Sequence, residues 1–156
     1  MVDVIRATRA ELEELLARMT PEQMQQPGVA GDWSVKDVLA HLLWYAREEM
    51  ELVRESGVAA SPLWEVREEP RNGLIREQLR DQPLAEVLAE LRRVSTELVA
   101  AVERLSDADL VTPGRFPGTS AERLPWQDIA SNTWAHERAH VAEVRAWLDA
   151  GQADRR

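Results

Sequence analysis

The sequence predicts an all-α protein built as a four-helix bundle. Apolar residues recur at three- and four-residue steps over four long stretches, the mark of helices with one buried face. No alternation of apolar and polar residues runs for more than a few positions, so no half-buried strand is indicated. The chain also reads as a weak internal repeat. Twice, a long helix is followed by a short capped turn, a Pro-Gly (Pro27-Gly28, Pro113-Gly114) and a Trp that introduces a histidine-bearing helix. Two such halves related by a pseudo-twofold axis make a four-helix bundle. They place the two histidine-bearing helices in corresponding positions.

The first helix is expected over residues 2–19, where Ile5, Leu12, Leu15, Leu16 and Met19 form the apolar stripe. Thr20-Pro21-Glu22-Gln23 then restarts a turn, with Thr20 as cap, Pro21 at the first helical position and Gln23 completing a capping box. Ser34 caps the second helix, Asp37 occupies the reciprocal position, and Trp33 with Val38 forms a hydrophobic staple. That helix is expected to run to Ser56 and stop at Gly57. Residues 57–70 read as a crossover with room for a helical turn. A helical prelude at 72–81 leads into a third long helix at 83–105, in register through Leu84, Val87, Leu91, Val94, Leu98 and Val102. Ser106 to Leu110 repeats the short capped turn. A fourth helix is expected from about Pro125 to Ala150, with Gly151 as its stop. Residues 1–151 thus form one domain, and 152–156 a charged tail.

With 156 residues, the chain can bury a core without disulfides or structural metal. It has no cysteine, which removes thiolate ligands, zinc ribbons and cysteine nucleophiles together. A net charge of −9 argues against nucleic acid as a partner, because phosphate contacts need clustered cations. The first nineteen residues are charged throughout, unlike a signal peptide, and no apolar run is long enough for a membrane span. The expected location is the cytoplasm, with no membrane partner.

The three histidines carry the chemistry. His136 and His140 are four residues apart and so share one helix face. His41 lies beside Val38 and Tyr45 at the edge of the second helix's stripe. All three sit on core-facing positions. Spacing leaves two readings open: partly buried imidazoles hydrogen-bonded to neighbours, or three ligands of one divalent metal. Three neutral imidazoles suit zinc, nickel or another first-row ion, and three protein ligands leave a coordination position open for a reactant. His136-Glu137-Arg138-Ala139-His140 matches HExxH as letters, but a zincin's third ligand follows downstream, where almost no chain remains. Glu137 is therefore expected on the helix surface or supporting a ligand. Asp37 and Asn132 each precede a histidine by four residues and could orient an imidazole, against roles as capping and packed polar residues. Trp44, Tyr45 and Trp134 flank the histidines as candidate pocket walls or as core. No catalytic residue is assigned.

Trp33-Ser-Val-Lys-Asp-Val-Leu-Ala-His41, followed by Asn132-Thr-Trp-Ala-His-Glu-Arg-Ala-His140, resembles the DinB-like family. Its members include DfsB-type bundles, bacillithiol transferases and the metal-binding domain of mycothiol-dependent maleylpyruvate isomerases. The likeness covers nearly the whole chain, including the Thr20-Pro-Glu-Gln-Met24 turn and the Arg80-Asp-Gln-Pro-Leu-Ala-Glu-Val-Leu88 approach to the third helix. The resemblance implies up-up-down-down topology, zinc or nickel on His41, His136 and His140, and a homodimer. It also implies use of an external low-molecular-weight thiol against small electrophiles. A non-enzymatic, stress-related binding bundle and a metal-dependent hydrolase are the alternatives.

Overall fold

The computed structural model describes residues 1–54, 61–116 and 122–153. Its long helices are α1 (Val2–Leu16), α3 (Val35–Val53), α5 (Leu84–Val102) and α8 (Trp134–Ala153), joined by the shorter α2 (Pro21–Met24), α4 (Glu68–Leu79), α6 (Asp107–Val111) and α7 (Pro125–Asn132). The expected end of the second helix at Ser56 and Gly57, and residues 154–156 of the tail, lie outside the described residues. Helix α3 packs along α5, and α1 along α8. The apolar stripes meet in one core in which Leu12, Leu39, Leu43, Val87 and Ile129 are wholly buried.

Besides α5, which ends at Val102 rather than at residue 105, and α8, which runs through Gly151 to Ala153 instead of stopping there, four expectations need correction. Helix α1 ends at Leu16, three residues early. The crossover holds a 3-10 turn at Pro62–Glu65, and α4 begins at Glu68 rather than near Asn72. Pro70 falls in its first turn, where its missing N–H costs nothing. A two-stranded antiparallel ribbon precedes α3, pairing β1 (Pro27–Ala30) with β2 (Trp33–Ser34). Strands this short are below the length at which alternation is readable. The ribbon depends on two glycines: Gly31 turns the chain at φ +64°, and Gly28 lies at φ +119°. A Cβ on Gly28 would come within 3.3 Å of the Trp147 indole nitrogen.

The fourth correction bears on the site. The expected single helix at 125–150 is broken at Thr133, whose φ and ψ are −121° and −109°. The Thr133 hydroxyl donates back to the Ile129 carbonyl, a local bond that competes with the helical ladder. The Thr133 carbonyl then accepts from Glu137 N at 2.9 Å and starts α8.

The ribbon delivers Ser34 to the α3 N-terminus. Asp37 N donates to Ser34 Oγ at 3.1 Å, and Ser34 N donates to Asp37 Oδ2 at 2.8 Å. Ser34→Ala is expected to cost about 1 kcal/mol, seen as a lower urea midpoint with an unchanged slope.

Candidate metal centre

Helix α3 presents His41, Tyr45 and Glu49 on successive turns of one face, and α8 presents His136 and His140 likewise. The faces meet so that three Nε2 atoms converge. His41 Nε2 lies 2.9 Å from His136 Nε2, and His140 Nε2 lies 3.1 Å from it. The three ligand atoms all fall within 4.8 Å of one another. His41 is buried, 2% exposed. The other two are half-buried, so the cluster opens on the side of α8.

The electrostatics keep the lone pairs available. Burial, then the neighbouring imidazoles, then the charge of Arg71 push His41 down to about 3. Burial and His140 push His136 down to about 4. Both are neutral at pH 7. The His140 Nδ1–H donates to the Glu143 carboxylate at 2.8 Å, which leaves its Nε2 as a lone pair aimed at the cluster. One proton can bridge only one of the two short contacts on His136 Nε2. The arrangement therefore calls for a shared cation, and the all-nitrogen donor set matches a first-row divalent ion.

The residues expected to support the ligands turn elsewhere. Asp37 spends its carboxylate on the Ser34 cap and on Arg76 Nε at 3.3 Å. Asn132 donates to Glu49 Oε2 at 2.8 Å; the break at Thr133 takes it out of the α8 register. Glu137 points to α1 and pairs with Arg9 at 2.8 Å, both largely buried. It lies about a quarter-turn round the helix from His136 and is engaged by Arg9, so the HExxH letters do not place a carboxylate at an open coordination position. Accordingly, Nδ1 of His41 and of His136 are buried without a hydrogen-bond partner.

Of the candidate walls, Tyr45 meets the cluster directly, its ring centroid 4.8 Å from His41 and 4.6 Å from His136. Trp44 is one ring further out, stacked with Trp64 and Tyr45 over Ile75 in a satellite core. Trp134 packs on the main core. Sequence reasoning missed Glu143, although its i+3 spacing from His140 was visible. It also missed Trp33 as a wall, whose ring stands edge-on 5.6 Å from His41. A groove of about 620 Å³ lies elsewhere, between α1 and α5, lined by residues such as Arg9, Arg92 and Val99 and by no histidine.

A helical bundle with three imidazoles converging from two helices defines a protein built around a candidate divalent-metal site. The chain belongs to the DinB superfamily, whose model matches residues 5–151. It is 30% identical over 149 residues to a Bacillus licheniformis protein named as a putative metal-dependent hydrolase, covering 92% of this chain and 76% of that one. Solved structures share the fold. The sibling lethal factor precursor DfsB superposes with a TM-score of 0.79 at 17% identity, covering 96% of this chain and 94% of its own. A Streptococcus pneumoniae protein gives 0.78 at 15% identity, covering 95% and 88%. The colibactin self-resistance protein ClbS, solved with double-stranded DNA, gives 0.72 at 17%, covering 93% and 91%. Among the described residues, no helix is long and apolar enough to cross a membrane.

Proposed function

We propose that this chain holds one divalent metal ion on His41, His136 and His140 and serves as a metal-dependent transferase of a low-molecular-weight thiol to small electrophiles. The observation that carries the reading is the convergence of three Nε2 atoms from two helices, with two imidazoles kept neutral by burial. A bound ion supplies Lewis acidity, so that a thiol or water in its open position loses a proton near neutral pH. The chain's own part is to hold the lone pairs in place: Glu143 fixes the His140 tautomer, and Tyr45 and Trp33 brace His41. A chain without cysteine takes its thiol from outside. Glu137, the carboxylate a zincin-like hydrolase would use as base, is engaged by Arg9 of α1.

Hydrolysis is the second reading, favoured by the name of the Bacillus licheniformis relative. An activated water on three imidazoles needs no carboxylate at the ion itself. Elemental analysis of untagged wild type beside His41→Ala and His140→Ala comes first. About one ion per chain, lost in both variants, is the expected result. The loaded protein is then mixed with chlorodinitrobenzene, with and without cysteine, and separately with p-nitrophenyl acetate. Conjugate formation that needs both ion and thiol supports the transferase. Metal-dependent ester cleavage without thiol supports the hydrolase. A wild type that takes up no zinc or nickel overturns both and leaves a binding bundle.

A further inference from the structure

Most arginines among the described residues pair with a carboxylate, as Arg6 does with Glu103, Arg47 with Glu90, Arg76 with Asp32 and Arg92 with Glu13. Arg71, in the first turn of α4, is different. Its guanidinium carbon sits 4.6 Å above the Trp64 ring and 5.8 Å from the Tyr45 ring. Its Nε is buried and has no hydrogen-bond partner. Among the described residues no carboxylate forms an ion pair with it.

The platform under Arg71 is fixed in advance. Glu48 accepts from the Trp64 indole N–H at 2.8 Å and from Ser61 N at 2.9 Å, tying the 3-10 turn to α3. The Tyr45 ring links this guanidinium to the histidines, since the same ring contacts His41 and His136. A cation over two aromatic faces is held by ring quadrupoles, and beyond the interaction with the Tyr45 hydroxyl its remaining in-plane donors are left for another group. A guanidinium matches a carboxylate in two parallel hydrogen bonds. Glu143 is spent on His140 at the other edge of the cluster, so a divalent ion on the three imidazoles would leave the Arg71 side of the site positive.

We propose that Arg71 is a carboxylate-recognition residue, and that the small molecule reaching the histidine cluster carries a carboxylate within about one ring's breadth of its metal-binding atom. The inference rests on the proposed metal site for the metal-binding end of the molecule only; the carboxylate end rests on Arg71.

The test uses cobalt-loaded protein and two probes of equal length, γ-mercaptobutyrate and the corresponding alcohol, γ-mercaptobutanol. Binding is read from the thiolate-to-cobalt charge-transfer absorption, and cobalt content is measured in parallel. Wild type is expected to bind the acid about 10- to 100-fold more tightly than the alcohol, the range of a charge-assisted pair. Arg71→Met is expected to lose that preference while alcohol affinity and cobalt content stay unchanged. Arg71→Lys keeps the charge but not the fork, so it is expected to recover only part of the preference; it decides the matter if Arg71→Met does not fold. Equal affinities in wild type, or an acid preference that survives in Arg71→Met, overturn the proposal. If wild type takes up no cobalt, the metal reading fails separately. Calorimetric titration of the metal-free protein with the acid then decides: heat lost in Arg71→Met sustains the subsite, and no heat in wild type, or heat unchanged by the substitution, overturns it.

Discussion

Saturating zinc is expected to raise the unfolding free energy at pH 7 by about 2.7 kcal/mol when the free ion stands at a hundred times its dissociation constant, and His136→Ala is expected to abolish the increment. His136 is the choice because its Nε2 is the one close to both others, at 2.9 and 3.1 Å. The substitution has its own cost, since it opens space and strips two imidazoles of their neighbour. The comparison is therefore of increments, metal-loaded minus metal-free, within each protein. Burial holds His41 at about 3 and His136 at about 4. Zinc displaces no proton from these two at pH 7, and their lone pairs stay free down to about pH 5. Chelation is expected to return wild type to its metal-free stability and to leave His136→Ala unmoved. An equal zinc increment in both proteins would place the ion elsewhere.

The histidine face was legible because two physical signals coincide there. His136 and His140 carry the helical spacing of one face, and His41 sits within the stripe that Val38, Leu42 and Tyr45 bury. Ser34 and Asp37 were legible as a capping box because that motif is local in sequence, and it forms as expected. What was not legible is what two distant segments settle between them. Asn132 and Asp37 have the right offset to hold an imidazole. Asn132 is drawn to Glu49 across the bundle and Asp37 to Arg76 on α4, both contacts spanning tens of residues. The break at Thr133 has no proline or glycine to announce it; it comes from a hydroxyl that prefers the carbonyl one turn back. Arg71 cannot be told from the other arginines in sequence, because its distinction is the aromatic platform that Trp64 and Tyr45 form beneath it. Glu49 falls two turns after His41 on the same helix face, and a carboxylate there raises the question of what neutralises it.

Glu49→Gln is expected to stabilise the protein by about 2 to 3 kcal/mol at pH 8 and to change it little near pH 4.5. The Glu49 side chain is 1% exposed. Oε2 accepts from Asn132, and Oε1 has no partner. Burial pushes the carboxyl up to about 7, aided by the charge of Asp128 and opposed by the Asn132 hydrogen bond. The folded pKa exceeds the unfolded one, so the favourable contribution of the protonated group is complete below about 4.5. It is lost as pH rises through 7. Glutamine copies the protonated form and can keep the Asn132 bond. The histidines run the opposite way. Their folded values lie below the unfolded 6.5, so their contribution is complete above that pH and declines as pH falls. Between pH 7 and pH 5, His41 and His136 together remove about 3 to 4 kcal/mol, while protonation of Glu49 restores about 2. Metal-free wild type should therefore lose only about 1 to 2 kcal/mol over that interval, and metal-free Glu49→Gln about 3 to 4. Urea unfolding at several pH values reads both slopes. If the two proteins have parallel pH profiles, Glu49 is already ionised in the fold, and the space around it must hold a compensating charge.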